Sequence, residues 1–142
     1  MKFKSFFIFF SLLATFMFNG CTKEEALSPI EQNKIYLTGL GATPTKWLLT
    51  SLTTSVSTLP LTYAQKQYSQ TFAKNGSYND SDGFVGSWDM SSSSQLTVRY
   101  VNFPSGTPAT QSFQIVSISA SNLIIIHNNN GTTITAVYAA SN

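Results

Sequence analysis

The chain has 142 residues, a formal charge of +2 and one cysteine, with 42% hydrophobic, 13% aromatic and only 10% charged residues. This length allows one compact domain with an extension. A single cysteine excludes an internal disulfide, and so few long charged side chains argue against a domain faced with exposed helices.

Lys2 and Lys4 precede an apolar run from Ser5 to Phe18, which stops at Asn19-Gly20 and Cys21. A cationic start, an apolar middle and a small residue at the cut site predict a secretory signal over 1–20. The run has fourteen residues, short of the roughly 20 that a membrane-spanning helix needs. Phe18-Asn19-Gly20-Cys21 resembles a bacterial lipobox, which predicts that the Cys21 thiol carries acyl groups such as palmitate. Without that modification a secreted chain would keep one exposed thiol with no partner. A single acyl chain holds a protein marginally, whereas two or three, at about 0.8 kcal/mol per buried methylene, anchor it to the membrane stably. Thr22-Lys23-Glu24-Glu25 resembles the export tag of lipoproteins on the outer face of the Bacteroidota outer membrane; the same acids would also serve an ordinary solvated linker. From Cys21 onward six cations face six acids. The mature chain is therefore neutral and lacks the electrostatic basis for binding nucleic acid.

Residues 21–44 lack a sustained apolar period and contain Pro29, Gly39, Gly41 and Pro44, which predicts a tether with a reach of roughly 25–30 Å if flexible. Ile35, Leu37 and Leu40 are too apolar for a purely solvated spacer. The domain is expected over 45–142. In it Trp47, Leu49 and Ser51 alternate with Leu48, Thr50 and Leu52; Tyr68, Gln70 and Phe72 then lead to Asn75-Gly76, a hairpin signal because both residues tolerate positive φ. Ser77 to Asn79 follow, then an Asp82-Gly83 turn and a face of Phe84, Gly86, Trp88 and Met90. Leu96, Val98 and Tyr100 share a face opposite Thr97, Arg99 and Val101. Prolines and glycine at 104–108 predict a loop before Phe113 and Ile115. Leu123 to His127, Asn130-Gly131 and then Ile134, Ala136 and Tyr138 predict a closing hairpin. About seven or eight short strands joined by tight turns predict an all-β antiparallel up-and-down meander, and closure into a barrel removes its exposed edges.

The order Trp47-Leu48-Leu49, Thr71 to Tyr78, Gly86-Ser87-Trp88, Leu96-Thr97-Val98, Phe113 to Ser119 with Asn122-Leu123, and Tyr138 resembles the lipocalin-like lipoproteins of Bacteroidota. That resemblance implies a small lipocalin-like barrel, commonly with an apolar interior, on a lipidated tether. Full lipocalins carry a Gly-x-Trp on their first strand; here Trp47 follows Pro44-Thr45-Lys46, and the Gly-x-Trp of Gly86 to Trp88 lies mid-chain. A barrel of this size sits at the margin between filling itself and holding one small molecule.

Groups for catalysis are scarce. His127, the single histidine, precedes Asn128-Asn129-Asn130-Gly131 and reads as a turn-flanking residue, and no Gly-x-Ser-x-Gly elbow accompanies the serines. Asp80, Asp82, Gly83 and Asp89 match positions three, five, six and twelve of a calcium loop, but Tyr78 at the first position and flanking strands favour a hairpin turn. No metal, cofactor or catalytic group is expected. Eight aromatics, Trp47, Phe72, Tyr78, Phe84, Trp88, Tyr100, Phe113 and Tyr138, fall on the inward alternation. They form either a pocket, with tyrosine hydroxyls and indole N–H groups orienting a guest, or a filled core. The function expected is a non-enzymatic, lipid-anchored module binding a small apolar or amphipathic ligand; the alternative is a filled barrel whose loops contact an envelope protein or glycan. An interior volume above about 300 Å³ favours the first.

Overall fold

The computed structural model describes residues 25–55, 57–102 and 106–141. The predicted signal segment, the lipobox and Cys21 lie outside the described residues.

The stretch read as a tether contains α1, Pro29–Thr38. Ser28 and Glu31 form a capping box: the Ser28 N–H donates to Glu31 Oε2 at 3.0 Å and the Glu31 N–H to Ser28 Oγ at 3.3 Å, with Pro29 opening the first turn. The helix has no amphipathic period to betray it; its caps, the packing of Ile30 and Leu37 on the core, and a bond from Asn33 Nδ2 to the Ser93 carbonyl at 2.8 Å hold it. Leu37 is fully buried, and its carbonyl accepts the Trp47 indole N–H at 2.9 Å. Trp47 thereby satisfies one of the carbonyls left without a partner at the end of the helix.

The strands follow as β1 (Lys46–Thr54), β2 (Thr58–Leu59), β3 (Ser69–Phe72), β4 (Ser77–Asp80), β5 (Val85–Ser92), β6 (Gln95–Asn102), β7 (Thr107–Ile118), β8 (Asn122–Asn129) and β9 (Thr132–Ser141). From β3 onward each pairs antiparallel with the next, and β9 returns to β1 with Lys46 opposite Ser141 and Thr54 opposite Ile134. Eight strands thus close into an antiparallel barrel, while β2 is an extra ribbon on β1. Register shifts at Leu49/Ser51, Met90/Ser92 and Ile115/Ser117 bend the strands where the wall must curve.

Alternation places Trp47, Phe72, Trp88, Met90, Leu96, Ile115 and Leu123 inside. These residues lie toward the end of the barrel against which α1 packs. The opposite end carries a single 3-10 turn, Gln65–Gln67, and the β4–β5 and β8–β9 hairpins.

Asn130 and Gly131 have φ of 50° and 83°, the paired left-handed conformation of a two-residue hairpin. At the Asn75-Gly76 turn only Gly76 adopts positive φ. Lys74 to Gly76 form a three-residue loop closed by a Gly76 N–H to Ala73 carbonyl bond, and Asn75 uses its side chain to accept from the Ser77 N–H at 3.1 Å. The loop expected through Pro108 ends earlier, because Pro108 lies in β7 opposite Val101. β8 pairs with β7 only from Gln114 to Ile118, so this part of β7 has a free edge and the missing N–H is tolerated.

Candidate functional site

The half of the barrel remote from α1 is hollow. A cavity of about 260 Å³ lies among Leu49, Gln70, Tyr78, Val98, Ile125 and Tyr138, with Leu52, Gln65, Gln111 and His127 also on its wall. A small inward residue leaves space: Ala136 on β9 contributes one methyl group to the wall, and Gly86 on β5 stands between the wall residues Tyr78 and Tyr100.

Gly86 also draws two strands together. It pairs with Tyr78 on one side and Tyr100 on the other, and those rings lie 6.5 Å apart across it. A Cβ here would strike the Arg99 carbonyl oxygen and sit 2.7 Å from Tyr100 Cα. The glycine of the Gly-x-Trp is therefore a close-approach residue that shapes the aromatic wall.

One side of the cavity is polar. Asp80, at the end of β4, accepts the Tyr78 hydroxyl at 3.1 Å and the Tyr68 hydroxyl at 3.2 Å on Oδ2, while Oδ1 takes the N–H groups of Asp82 and Phe84, each at 3.0 Å. The two tyrosine hydroxyls are 3.3 Å apart. Burial pushes Tyr68, Tyr78 and Tyr138 above their ordinary pKa of 10.0, and the Asp80 charge pushes each in the same direction. All three are neutral phenols across the physiological range. Gln70 is 3% exposed, and its Nε2 is sealed with no hydrogen-bond partner among the described residues.

The eight expected lining residues divide between the two halves. Tyr78, Tyr100, Phe113 and Tyr138 line the cavity. Trp47, Phe72 and Trp88 belong to the packed core instead, with Phe72 in an edge-to-face contact with Trp88 at 6.0 Å. Phe84 packs on Tyr100 with centroids 5.3 Å apart. The expectation that indole N–H groups face a guest is corrected: Trp47 donates to Leu37 and Trp88 to the Ala73 carbonyl, each at 2.9 Å, so both are committed to backbone oxygens.

His127 is half-buried on the cavity wall, its ring 5.9 Å from that of Phe113, so it is more than a turn-flanking residue. Asp80 serves the turn and the tyrosines, whereas Asp89 is exposed on the outer face of β5. Among the described residues no group of three or more His, Cys, Asp or Glu side chains is placed to hold a metal ion. Tyr68 and Gln70 were absent from the expected lining although both stand on the inward alternation with Phe72. Polarity set Gln70 aside, and the 3-10 turn hides the direction of Tyr68.

These features define a closed antiparallel barrel of eight strands, plugged by a helix at one end and hollow at the other, an architecture compatible with a binding module. No protein-family model and no curated protein matches the chain.

Proposed function

We propose that the chain is a non-enzymatic binding module of a bacterial envelope, fastened through acyl groups on Cys21 and similar to the lipocalin-like lipoproteins of Bacteroidota, that takes a small amphipathic molecule into its barrel. The observation carrying this reading is the cavity of about 260 Å³ above a packed, helix-plugged base. It falls just short of the roughly 300 Å³ at which drug-sized pockets begin. It exceeds the about 150 Å³ apolar cavity that accepts benzene. The guest is therefore of one or two rings, not a fatty acid or a retinoid.

Tryptophan fluorescence is a poor reporter, since both indoles lie in the packed core. Native mass spectrometry of the protein released gently from envelope membranes is the better assay. A small organic molecule on the wild-type chain, lost in Ala136→Leu, supports the reading; an empty wild-type barrel that takes up no member of a one- and two-ring panel refutes it. The anchor is tested separately by palmitate labelling, expected in the wild type and lost, with release from the membrane, in Cys21→Ser. Equal labelling of the two would refute it.

A further inference from the structure

The wall around the cavity is not closed evenly. From Thr107 to Phe113, β7 pairs only with β6, and from His127 to Asn129, β8 pairs only with β9. The register of Gln114 with Ile126, carried on, would set Phe113 opposite His127 and Ser112 opposite Asn128, but the ladder stops short of them. At that level the two strands meet through side chains: the Phe113 and His127 rings lie edge to face with centroids 5.9 Å apart. Both rings line the cavity. Both also line an open groove of about 390 Å³ on the outer face of β7 and β8, together with Ser112, Gln114 and Asn128. Side chains of a strand alternate between the faces of a sheet, so a backbone ladder normally hides an inward residue from the outside. Phe113 and His127 are reached from both sides because no ladder runs between them.

The end of the barrel is fastened more firmly. The segment over it carries the 3-10 turn, packs Leu61 on the core and is pinned at Tyr68, whose carbonyl accepts the Leu49 N–H at 3.0 Å and whose hydroxyl donates to Asp80 at 3.2 Å. Lifting that segment breaks those bonds. Parting the seam displaces two half-buried rings and breaks no ladder between β7 and β8, and regions with few such bonds are the ones that open at low free energy.

We infer that the guest enters and leaves through the side of the barrel, between β7 and β8, past a gate formed by the Phe113 and His127 rings. A change of rotamer at either ring clears the way without moving the rest of the wall. This inference rests on the binding reading above and gives the route into its cavity.

The test measures the rates of binding and release of 5-fluoroindole, a two-ring probe, by fluorine-19 exchange NMR on the full mature protein in detergent. In a Ser112→Cys, Asn128→Cys double variant the seam is bridged from outside with dibromobimane, which fluoresces once both thiols have reacted; the same variant before bridging is the reference. Bridging is expected to slow binding and release together, each about tenfold or more, a barrier effect, with the dissociation constant unchanged. Phe113→Ala, which removes half of the gate, is expected to raise the association rate by about as much, whereas loss of a wall contact alone would act mainly on release. An association rate unchanged by the bridge, or unchanged in Phe113→Ala, overturns the side entrance and leaves the cavity reading standing. Failure of the wild type to bind the probe at millimolar concentration would instead count against the binding reading, and the side entrance would fall with it.

Discussion

Trp47→Phe isolates one of the bonds that join the helical plug to the barrel, beside that from Asn33 Nδ2 to the Ser93 carbonyl at 2.8 Å. The indole is fully buried and its N–H is 2.9 Å from the Leu37 carbonyl. Phenylalanine keeps most of the ring but leaves that carbonyl buried with no donor, which costs about 1–3 kcal/mol. The lost ring atoms add a cavity term of about 1 kcal/mol, a fraction of the 3–5 kcal/mol seen when a buried aromatic is cut to alanine. The sum is about 3 kcal/mol. At about 4 °C per kcal/mol for a domain of this size, the midpoint of thermal unfolding falls by about 12 °C. Guanidinium unfolding is followed by the fluorescence of Trp88, the one indole that remains of the two in the chain. Leu37→Ala, which removes a fully buried side chain from the same contact, is expected to cost 2–5 kcal/mol. If either change releases the plug, the second adds little, so the double variant loses less than the sum of the singles. A loss below about 0.5 kcal/mol for Trp47→Phe, the scatter of ordinary surface changes, would refute the claim that this bond contributes to holding the helix on the barrel.

Three further outcomes follow from the same geometry. Gly86→Ala places a methyl group against the backbone of β6, with no flexible side chain able to yield; overpacking of at least about 3 kcal/mol is expected, and a chemical denaturation curve within about 1 kcal/mol of wild type would contradict the close approach. Asp80→Ala leaves the Tyr68 and Tyr78 hydroxyls only each other as partners. A loss of about 2–3 kcal/mol is expected, read as a lower unfolding midpoint, and an unchanged midpoint would show that the cluster does not brace the barrel. Alkaline titration tests the buried phenols. Burial raises the folded pKa of Tyr68, Tyr78 and Tyr138 above 10.0, so their contribution is complete below pH 10 and declines above it, as the unfolded chain ionises while the folded one does not. Each tyrosine contributes a slope of up to about 1.4 kcal/mol per pH unit. Tyrosinate absorbance from these three should therefore appear only together with loss of the far-ultraviolet β signal; ionisation of all the tyrosines in a folded barrel would disprove the burial argument.

Much of the wall was legible because a strand is a local pattern. Leu96, Val98 and Tyr100 announce their face by alternation, and Asn130-Gly131 announces its turn because few other residues adopt positive φ in succession. α1 was not legible in the same way. Ser28-Pro29-Ile30-Glu31 carries a start signal, but no apolar stripe follows it, and the burial of Leu37 depends on an indole donor ten residues further on.

Alternation in the chain by itself determined the fold class, the strand order and the inward turn of most of the aromatics, Tyr68 excepted, since each follows from neighbours in sequence. Whether the interior is filled could be decided only in three dimensions. Inward residues from eight strands meet across the barrel, and the volume left over depends on which of them share a level. Trp47, Phe72 and Trp88 fill the half against the plug. In the other half Gly86 brings Tyr78 and Tyr100 together across β5, Ala136 supplies little volume, and Gln70 stands beside the cavity that results, its amide nitrogen unpartnered.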